Sequence, residues 1–324
     1  MPAAEFDLLV IGDCNPDLIL RGDAEPQFGQ VERIVEAAEL TVGGSAAIVA
    51  CGAARLGLRT ALAAVVGDDV FGRFMLAELR RRNVDVDAVL VRPTAATGVT
   101  TILAREGDRA ILTFPGTSAA LRASDLSPAL LHRARHVHVA SLYLQPWLAA
   151  ELEQLLADAR AGGARTSLDP NWDPAEEWNG GLAAAFAQVD FFLPNAAEAC
   201  AIAGEPDVEA AARALALRGP TVVVKRGAAA ALAVDASGMT TCVPPTVAAV
   251  DSTGAGDSFD AGLIRGLLDG LPVASALELA CACGALSTRS TGGVNAQPTL
   301  DEALRLTQAP ATQDPGSPPD RAGP

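Results

Sequence analysis

The chain has 324 residues, of which 50% are apolar and 19% are charged, and its formal net charge is −15. This composition is typical of a globular protein with one large domain or two modest ones. A chain this acidic lacks the basic surface that binds nucleic acid, so no nucleic-acid partner is expected. No apolar run has the length of a membrane span and the N-terminus does not read as a signal peptide, so we expect no membrane association and a cytoplasmic location.

The first third of the chain alternates apolar runs with patterns of helical period. The predicted elements are, in chain order, a buried strand over 6–12, short half-polar strands at LILRGD (18–23) and QVERIV (30–35), a small-residue helix over 43–57, a buried strand at 60–69 and an amphipathic helix over 69–83.

The segment 97–116 differs, because two alternating runs flank Glu106-Gly107-Asp108, which predicts a β-hairpin. Beyond it the alternation of strands and helices returns. The predicted elements are a strand at HVHVAS, a helix at 147–161, strands at RTSLDPN and VDFFLPN, a helix from Ala196, a strand at TVVVKRG, and helices at 255–270 and 273–289. The tail at 309–324 is rich in proline and polar residues and is expected to be disordered.

Strands that alternate with helices predict an α/β fold in which a mostly parallel sheet is covered on both faces. The segments at about 17–36 and 97–116 do not fit that layer, and they predict a separate small β-sheet. Placed beside a crevice, such a sheet would act as a lid. The expected organisation is therefore one domain over 1–308 with this lid, followed by the tail.

Polar residues directly follow several of the predicted buried strands. In parallel sheets these positions gather at the carboxyl edge, where ligands bind. They are Asp13, Asn15, Asp17, Asp169, Asn171, Asn195, Arg226 and Gly227.

The stretch DSTGAGDSF (251–259) places two glycines and an aspartate at the start of an apolar helix. Gly254 and Gly256 allow the backbone to turn tightly, and the first N–H groups of the helix form an anion site. Asp257 in the first turn has a plain interpretation as a helix-dipole partner, worth about 0.3–1 kcal/mol. The sharper hypothesis is that the anion is a phosphoryl group in transit and that Asp257 deprotonates the attacking hydroxyl.

Other phosphate-binding motifs are absent from the sequence. No GxxxxGK[ST] occurs, because the single lysine, Lys225, is followed by Arg226, and no GxGxxG follows the first strand.

Four motifs in the expected order together resemble the ribokinase-like (PfkB) carbohydrate kinases. DSTGAGDSF is similar to the C-terminal family signature, and GGSAAIVACGAARLG (43–57) to the N-terminal one. Asn195-Ala-Ala-Glu198 resembles the family's N-x-x-E motif, and GDCNPD (12–17) its first strand with a substrate-binding acid. The likeness covers about residues 6–300 and implies a ribokinase-like three-layer α/β/α sandwich.

The resemblance implies a role for each matching position. Catalysis would rest on Asp257 as base and on an anion hole formed by Gly254, Ala255 and Gly256. The sugar would contact Asp17, Gly43, Gly44 and Asp257. Asp13, Asn15 and Asn171 are further candidates for substrate contact because they follow predicted strands, and Asn171 fits a structural role equally well. ATP would lie near Asn195, Lys225, Arg226, Gly227, Gly254 and Gly256, with the adenine between the segments 225–250 and 280–293, the second of which contains Cys283.

Magnesium is the metal that the resemblance implies, ordered with its waters by Asn195 and Glu198. The S-T-G-G run at 290–293 resembles a region that helps some relatives hold a monovalent cation, which makes Asp251 a candidate ligand for K⁺. Lids from two chains often pair in relatives, so a homodimer through the lid is expected, and the hairpin would expose an edge for that pairing.

Two positions depart from the family pattern. Ile48 stands where many sugar kinases have an asparagine that bonds a sugar hydroxyl. Asp173 stands where relatives acting on keto-acid sugars carry an arginine, so a negatively charged substrate is disfavoured unless Arg105 or Arg109 supplies the charge. Trp172 and Phe114 fit either packing or stacking on a nucleoside base.

The leading hypothesis is an ATP-dependent kinase acting on a hydroxyl, expected to be a primary one, of a sugar. The alternatives are a nucleoside kinase and a non-catalytic sugar- or nucleotide-binding protein of the same fold. His136 and His138 alternate on one strand and read as ordinary strand residues, since no third metal ligand is evident. The six cysteines read as free thiols, with Cys281 and Cys283 in packing positions.

Overall fold

Two β-sheets organise the chain, which a computed structural model describes over residues 4–105 and 108–307. The strands are β1 (Phe6–Ile11), β2 (Asn15–Arg21), β3 (Ala37–Gly43), β4 (Thr60–Gly67), β5 (Val84–Asp85), β6 (Val89–Arg92), β7 (Val99–Arg105), β8 (Asp108–Phe114), β9 (Ala134–Val139), β10 (Arg165–Leu168), β11 (Phe191–Phe192), β12 (Thr221–Val224), β13 (Ala231–Asp235) and β14 (Gly238–Cys242). The expected disordered tail at 309–324 lies outside the described residues.

The α-helices lie between and after these strands. They are α1 (Ser45–Arg55), α2 (Val70–Arg81), α3 (Pro128–Leu131), α4 (Pro146–Ala149), α5 (Leu152–Ala161), α6 (Leu182–Ala185), α7 (Ala196–Ala203), α8 (Val208–Ala216), α9 (Ala255–Leu268), α10 (Val273–Ser287) and α11 (Leu300–Thr307). The single helix predicted over 147–161 is thus two helices. None of the helices in the described part of the chain is long and apolar enough to cross a membrane.

The larger sheet runs in the order β14-β13-β12-β11-β10-β9-β1-β4-β5, with β6 also paired to β4. Its pairs from β12 to β5 are parallel, and β13 and β14 extend it as an antiparallel edge. Parallel strands need helical crossovers, which cover both faces of the sheet. The predicted three-layer α/β/α sandwich is confirmed.

Side chains of β1 alternate between two hydrophobic cores. Leu9 and Ile11 pack with α5, α7 and α8 on one face, whereas Leu8 and Val10 pack with α1, α2 and α9 on the other. Because both faces are covered, the strand reads as a continuous apolar run rather than as an alternating one. This explains why the sequence signal for the central strands is so plain.

The smaller sheet has the order β3-β2-β7-β8, in which only β2 and β7 are parallel. The strand predicted at 30–35 is wrong, since β3 begins at Ala37 and ends at Gly43. Val31 and Ile34 are 50% and 80% exposed, so the apolar residues of the predicted strand have no core to pack against. The first segment of the small sheet, predicted at about 17–36, therefore extends to Gly43. The predicted hairpin strands are β7 and β8, and Glu106 and Gly107 of its turn lie outside the described residues.

The two faces of the small sheet have different character. Asp17, Ile19 and Arg21 of β2 lie on one face, which we call the inner face, and their partners on β7 are Thr100, Ile102 and Ala104. The opposite, outer face carries alternating apolar residues, namely Leu18, Leu20, Leu40, Leu103, Leu112 and Phe114. This alternation decides which residues of the sheet line the site.

Candidate functional site

The site is assembled at the carboxyl edge of the large sheet, where β1, β9, β10, β11 and β12 end side by side. Strand β1 delivers Asp13, β10 delivers Asp169, and Asn195 forms a bridge to Lys225 after β11 and β12. The chain order changes direction at β1, since β4 lies on one side of it and β9 on the other. Ligands in open α/β sheets bind at such a switch point.

Helix α9 begins at this edge with Gly254 in the left-handed region, at φ 70°. A Cβ on Gly254 would lie 2.6 Å from the Cα of Gly293, so the neighbouring loop packs directly on this turn. Among the described residues no acceptor is recorded for the N–H groups of Gly256 and Asp257. These donors, with the helix dipole behind them, are the groups for which the sequence predicts an anion site.

Asp257 lies half-buried in the first turn of α9 and accepts a hydrogen bond from the hydroxyl of Ser45. Burial raises the pKa of Asp257 to about 7, the charges of Asp169 and Asp13 act in the same direction, and Ser45 and Lys225 oppose the rise. A carboxylate that titrates near neutrality is suited to accepting a proton in catalysis.

Asp13 contacts the start of α1, and the substrate contact predicted for it stays a prediction. Its two carboxylate oxygens accept the N–H groups of Ser45 and Ala46, at 3.2 and 2.9 Å. Asp13 is 4% exposed. These hydrogen bonds cap α1, whose first residue, Ser45, donates its hydroxyl to Asp257. The contact between Asp13 and Asp257 thus runs through Ser45, which the sequence analysis did not single out.

Gly43 and Gly44 are required by Asp17 and Asn15. A Cβ on Gly43 would lie 2.0 Å from Oδ1 of Asp17, and one on Gly44 would lie 3.1 Å from Oδ1 of Asn15. Asn15 also donates to Oγ1 of Thr100 at 3.2 Å. The glycine pair therefore makes room for two polar side chains that point into the crevice.

Asp17 is 5% exposed, and its carboxylate has no recorded hydrogen-bond donor within 4–105 and 108–307. Burial raises its pKa to about 7, and the charges of Asp13 and Asp251 act in the same direction. A buried carboxylate without a donor is costly. Such a group is suited to receive hydroxyl groups of a ligand.

Asn171 adopts a left-handed backbone at φ 55° and donates from Nδ2 to Oγ of Ser141 at 3.0 Å. The neighbouring Asp173 does not face the crevice. It is 6% exposed, and its carboxylate accepts the backbone N–H groups of Ala175, Glu177 and Trp178. The carboxylate is engaged within its own loop, and its predicted repulsion of a negatively charged substrate stays a prediction.

The ammonium of Lys225 lies between two buried carboxylates, 2.6 Å from Oδ2 of Asp169 and 3.1 Å from Oδ2 of Asp260. Burial alone would lower the pKa of Lys225, but the charges of Asp169, Asp260 and Glu198 outweigh it and raise the pKa. Lys225 also passes alongside Gly256, where a Cβ would lie 3.7 Å from Nζ. Asp260 was missed, although a second acid three residues after Asp257 in an apolar helix is a usable sequence signal.

Asn195 and Glu198 form a reciprocal cap at the start of α7. The Glu198 carboxylate accepts the Asn195 backbone N–H at 2.8 Å and the side-chain amide at 2.5 Å. Burial raises the pKa of Glu198 to about 7, and Asp169 contributes in the same direction. In the described part of the chain no group of three or more His, Cys, Asp or Glu side chains is placed to hold a metal by itself.

Asp251 precedes the anion site and is held by several donors. Its Oδ1 accepts the N–H and hydroxyl of Thr253 at 2.9 and 2.8 Å, and its Oδ2 accepts the N–H of Gly292 at 2.9 Å. The guanidinium of Arg109 lies 3.4 Å from Oδ1. Asp251 therefore joins the 290–293 loop to the turn before α9, with a positive charge beside it.

Ile48 lies 4% exposed against the same turn. A Cβ on Gly293 would lie 2.5 Å from its Cδ1, and one on Gly254 would lie 3.1 Å from its Cγ2. The isoleucine thus packs behind the anion site, where it supports the glycine backbone.

A cavity of about 400 Å³ opens at the start of α9 on the side away from the small sheet. Its walls are mostly apolar and come from the two predicted segments; they include Arg226, Gly227, Pro244, Val247, Phe259, Cys281, Gly284 and Ala285. Cys283 was predicted to contact the nucleotide but does not line this cavity. It is 1% exposed and packs against Gly262, since successive helical residues point about 100° apart.

A second cavity of about 970 Å³ lies between the inner face of the small sheet and the turn before α9. Ile19, Arg21 and Ile102 of the sheet line it, and Asp251 and Thr253 line it from the main domain. The two cavities share Ser252, next to the anion site.

Within residues 4–105 and 108–307, the aromatic side chains do not form a clamp for a planar ring. Trp172 packs edge-on against Trp178 at 4.8 Å, and Trp178 packs against Tyr143 at 5.7 Å. Phe114 lies on the outer face of the small sheet, away from the crevice. His136 and His138 are fully buried and share the hydroxyl of Ser167, at 2.7 and 2.8 Å. All six cysteines are free.

Comparison with known proteins agrees with this geometry. The chain is 33% identical over 312 residues to a fructokinase of Klebsiella pneumoniae, covering 91% of this chain and 97% of the relative. It is 30% identical over 290 residues to a 2-dehydro-3-deoxygluconokinase of Bacillus subtilis, covering 84% and 88%.

Among solved structures, a ribokinase II from E. coli in complex with ATP and Mg²⁺ superposes with a TM-score of 0.82. It is 24% identical and covers 93% of this chain and 99% of its own, so it shows the ribokinase-like fold. The model of the pfkB family of carbohydrate kinases matches residues 5–300. The chain therefore belongs to the pfkB carbohydrate kinase family and is a sugar kinase, an enzyme that transfers a phosphoryl group to an alcohol group.

Proposed function

We propose that the chain transfers the γ-phosphate of ATP to a primary hydroxyl of a sugar, with Asp257 as general base. One observation carries this proposal. The half-buried Asp257 lies in the first turn of helix α9, whose N–H groups at Gly256 and Asp257 have no recorded acceptor among the described residues, close to Ser252, which lines both cavities. A base beside an anion site is the arrangement that phosphoryl transfer requires.

The sugar occupies the crevice under the small sheet, which serves as its lid. Asp17 and Asn15 present polar groups there, and the Asp17 carboxylate accepts sugar hydroxyls as hydrogen-bond donors. Asn171 and the glycine pair at 43–44 border the same crevice. A closed lid excludes water from the transferring phosphate, which limits hydrolysis.

ATP fits the apolar cavity on the other side of α9. Its volume of about 400 Å³ falls within the range of small-molecule sites, and its apolar walls suit adenine. Arg226 and Gly227 line it beside Lys225, and Gly256 closes its inner end. The phosphates would therefore point at the N–H groups of α9.

Asn195 and Glu198 would hold Mg²⁺ through water, because the Glu198 oxygens are already engaged by Asn195. Mg²⁺ commonly keeps several waters and needs only one or two protein carboxylates together with substrate phosphates, which fits this donor set. When bound, Mg²⁺ neutralises phosphate charge. Asp251 and the 290–293 loop are the place where K⁺ would bind, in competition with the Arg109 guanidinium, which lies 3.4 Å from the Asp251 carboxylate.

In the reaction, Asp257 accepts the proton of the attacking hydroxyl as its oxygen bonds to the γ-phosphorus. The bond between the γ-phosphorus and the leaving ADP oxygen breaks in the same displacement. The N–H groups at the start of α9 stabilise the charge on the equatorial oxygens. Ser45 orients the Asp257 carboxylate by its hydrogen bond, and Asp13 holds Ser45 in turn.

A nucleoside kinase is the weaker alternative, because Trp172 and Phe114 leave no aromatic clamp over the crevice. A non-catalytic binding protein is disfavoured by the intact base and anion site.

A homodimer through the lid is part of the proposal, as is a cytoplasmic location, where ATP is available. Leu40, Leu112 and Phe114 on the outer face are 37%, 62% and 53% exposed. β3 and β8 form the two open edges of this sheet. An exposed apolar face with open edges is self-complementary for a second copy of the same sheet.

Replacing the base, Asp257→Asn, is expected to lower kcat by about 10²–10⁴-fold, because the amide cannot accept the hydroxyl proton. The measurement is coupled ADP release with sugar, ATP and Mg²⁺, together with calorimetric titration of ATP. Asp269→Asn, at the far end of the same helix, serves as the control and retains activity. Wild-type turnover by Asp257→Asn would remove this residue as the base.

Ser45→Ala is expected to move the acidic limb of the kcat/KM profile to higher pH. The Ser45 hydrogen bond lowers the pKa of Asp257, so its loss leaves more of the base protonated at a given pH. The variant should thus lose more activity at pH 6 than at pH 8. Ser237→Ala, in an exposed turn, is the control, and an unshifted limb in Ser45→Ala would contradict the assignment.

Asp17→Asn is expected to raise KM for the sugar and, at pH 8, to raise Tm. Because burial raises the pKa of Asp17 from 3.8 to about 7, the ionised group destabilises the folded state increasingly between about pH 4 and pH 7. The cost at pH 8 is at most about 4 kcal/mol. Differential scanning calorimetry should show a larger gain in Tm at pH 8 than at pH 5. Asp23→Asn is the exposed control, and equal gains at both pH values would refute this account.

Leu112→Asp is expected to convert a dimer into a monomer, because a charge would be buried in the apolar outer face of the lid. Light scattering after size exclusion measures the mass. Leu217→Asp, at a site 90% exposed on the main domain, is the matched control. A wild-type monomer at micromolar concentration, or an unaffected Leu112→Asp dimer, would exclude the lid as the interface.

A further inference from the structure

The cavity under the lid has positively charged residues at its outer end. Arg21, Arg105 and Arg109 line it, although the whole chain carries a net charge of −15. Glu36 and Asp251 also line it, Arg109 lies 3.4 Å from Asp251, and Arg105 is paired with Glu25 at 2.9 Å. Arg21 is therefore the lining arginine whose charge has no recorded carboxylate partner among the described residues.

Strand register fixes the position of these charges relative to the sugar. Asp17 and Arg21 lie on the same face of β2, four residues apart, which corresponds to about 13 Å along a strand. Arg21 pairs with Ala104 of β7, and Ala104 pairs with Arg109 of β8. Arg21 and Arg109 therefore lie in one row across the inner face, at the opposite end from Asp17.

The two guanidinium groups reach across the cavity to hydroxyl groups of the main domain. Arg21 donates from Nη1 to the hydroxyl of Thr291, and Arg109 donates to Oγ1 of Thr253 at 2.9 Å. Thr253 precedes Gly254, and Thr291 precedes the Gly292–Gly293 pair that packs on it. Both arginines thus hold positive charge over the rim of the anion site.

Arg21 is half-buried, and no carboxylate partner is recorded for it among the described residues. A guanidinium presents its donors in a planar fork that matches the two oxygens of a carboxylate or phosphate. Its single hydroxyl partner leaves this fork largely unused. Asp173, which is predicted to oppose an anionic ligand, is engaged in its own loop.

We propose that Arg21, assisted by Arg109, forms a subsite for an oxyanion carried by the sugar at the outer end of the cavity, opposite Asp17. The substrate class is then a sugar phosphate or a sugar acid. This inference rests on the proposed kinase function and specifies its substrate. Asp17 binds the sugar hydroxyls at the inner end of the crevice, and Arg21 selects the charge at the outer end.

The test compares fructose with fructose 1-phosphate and with 2-dehydro-3-deoxygluconate, using full-length protein with ATP and Mg²⁺. Both anionic sugars carry their charge at carbon 1 and a free hydroxyl at carbon 6. For wild type, kcat/KM should be at least about 10-fold higher for one anionic sugar than for fructose, and its KM should rise with ionic strength. Comparing fructose 1-phosphate with 2-dehydro-3-deoxygluconate identifies whether the subsite accepts a phosphate or a carboxylate.

Arg21→Gln should lower the ratio of kcat/KM for that anionic sugar to kcat/KM for fructose by about 10-fold or more, mainly through KM. Arg21→Lys should have a ratio between those of wild type and Arg21→Gln, because lysine keeps the positive charge but lacks the planar fork of guanidinium donors. Arg73→Gln, which removes an exposed arginine on α2, is the matched control and should leave the ratio unchanged.

Fructose used as well as both anionic sugars, or an unchanged ratio in Arg21→Gln, would overturn the subsite and leave the kinase proposal intact. Failure to phosphorylate any of the three sugars or other neutral sugars would instead count against the proposed function. Calorimetric titration of the two anionic sugars gives a second readout. Their binding by wild type and its loss in Arg21→Gln would support the subsite even without turnover.

Discussion

The ammonium of Lys225, fixed between Asp169 and Asp260, is the interaction on which the rest of the site depends. It joins the ends of β10 and β12 to helix α9, and it passes beside Gly256 at the anion site. A buried ion pair is weak evidence for net stability, because desolvation offsets much of the attraction. Removing one partner would leave an unpaired buried charge, so the geometry of this junction is strongly constrained.

The site also contains carboxylates whose pKa values are raised by burial. The pKa values of Asp17, Glu198 and Asp257 are each raised to about 7, with burial as the largest cause. Such groups destabilise the empty folded state at alkaline pH. A ligand that brings hydroxyl donors or magnesium compensates this cost, so stability and binding are linked here.

The small sheet contributes to the site through the alternation of its strands. The inner face of β2 carries Asp17 and Arg21, and the outer face carries Leu18 and Leu20. A shift of register by one residue would exchange the two faces. The same strand therefore supports a polar binding surface and an apolar surface suited to association.

Sequence alone was sufficient for the features that depend on local pattern. The apolar run of β1 and the glycines at 254 and 256 act through the backbone and need no distant partner to be recognised. Asp257 and the motif around it also identified the family. These features fixed the three-layer fold and the position of the anion site in the chain.

Tertiary structure decided what each polar side chain faces, because long-range contacts are invisible in local pattern. Asp13 and Ser45 support the base, Asp173 is engaged in its own loop, and Cys283 points away from the nucleotide cavity. The strand predicted at 30–35 failed because its apolar residues have no core to pack against. Pairing, burial and strand register set these outcomes, and each depends on residues far apart in the chain.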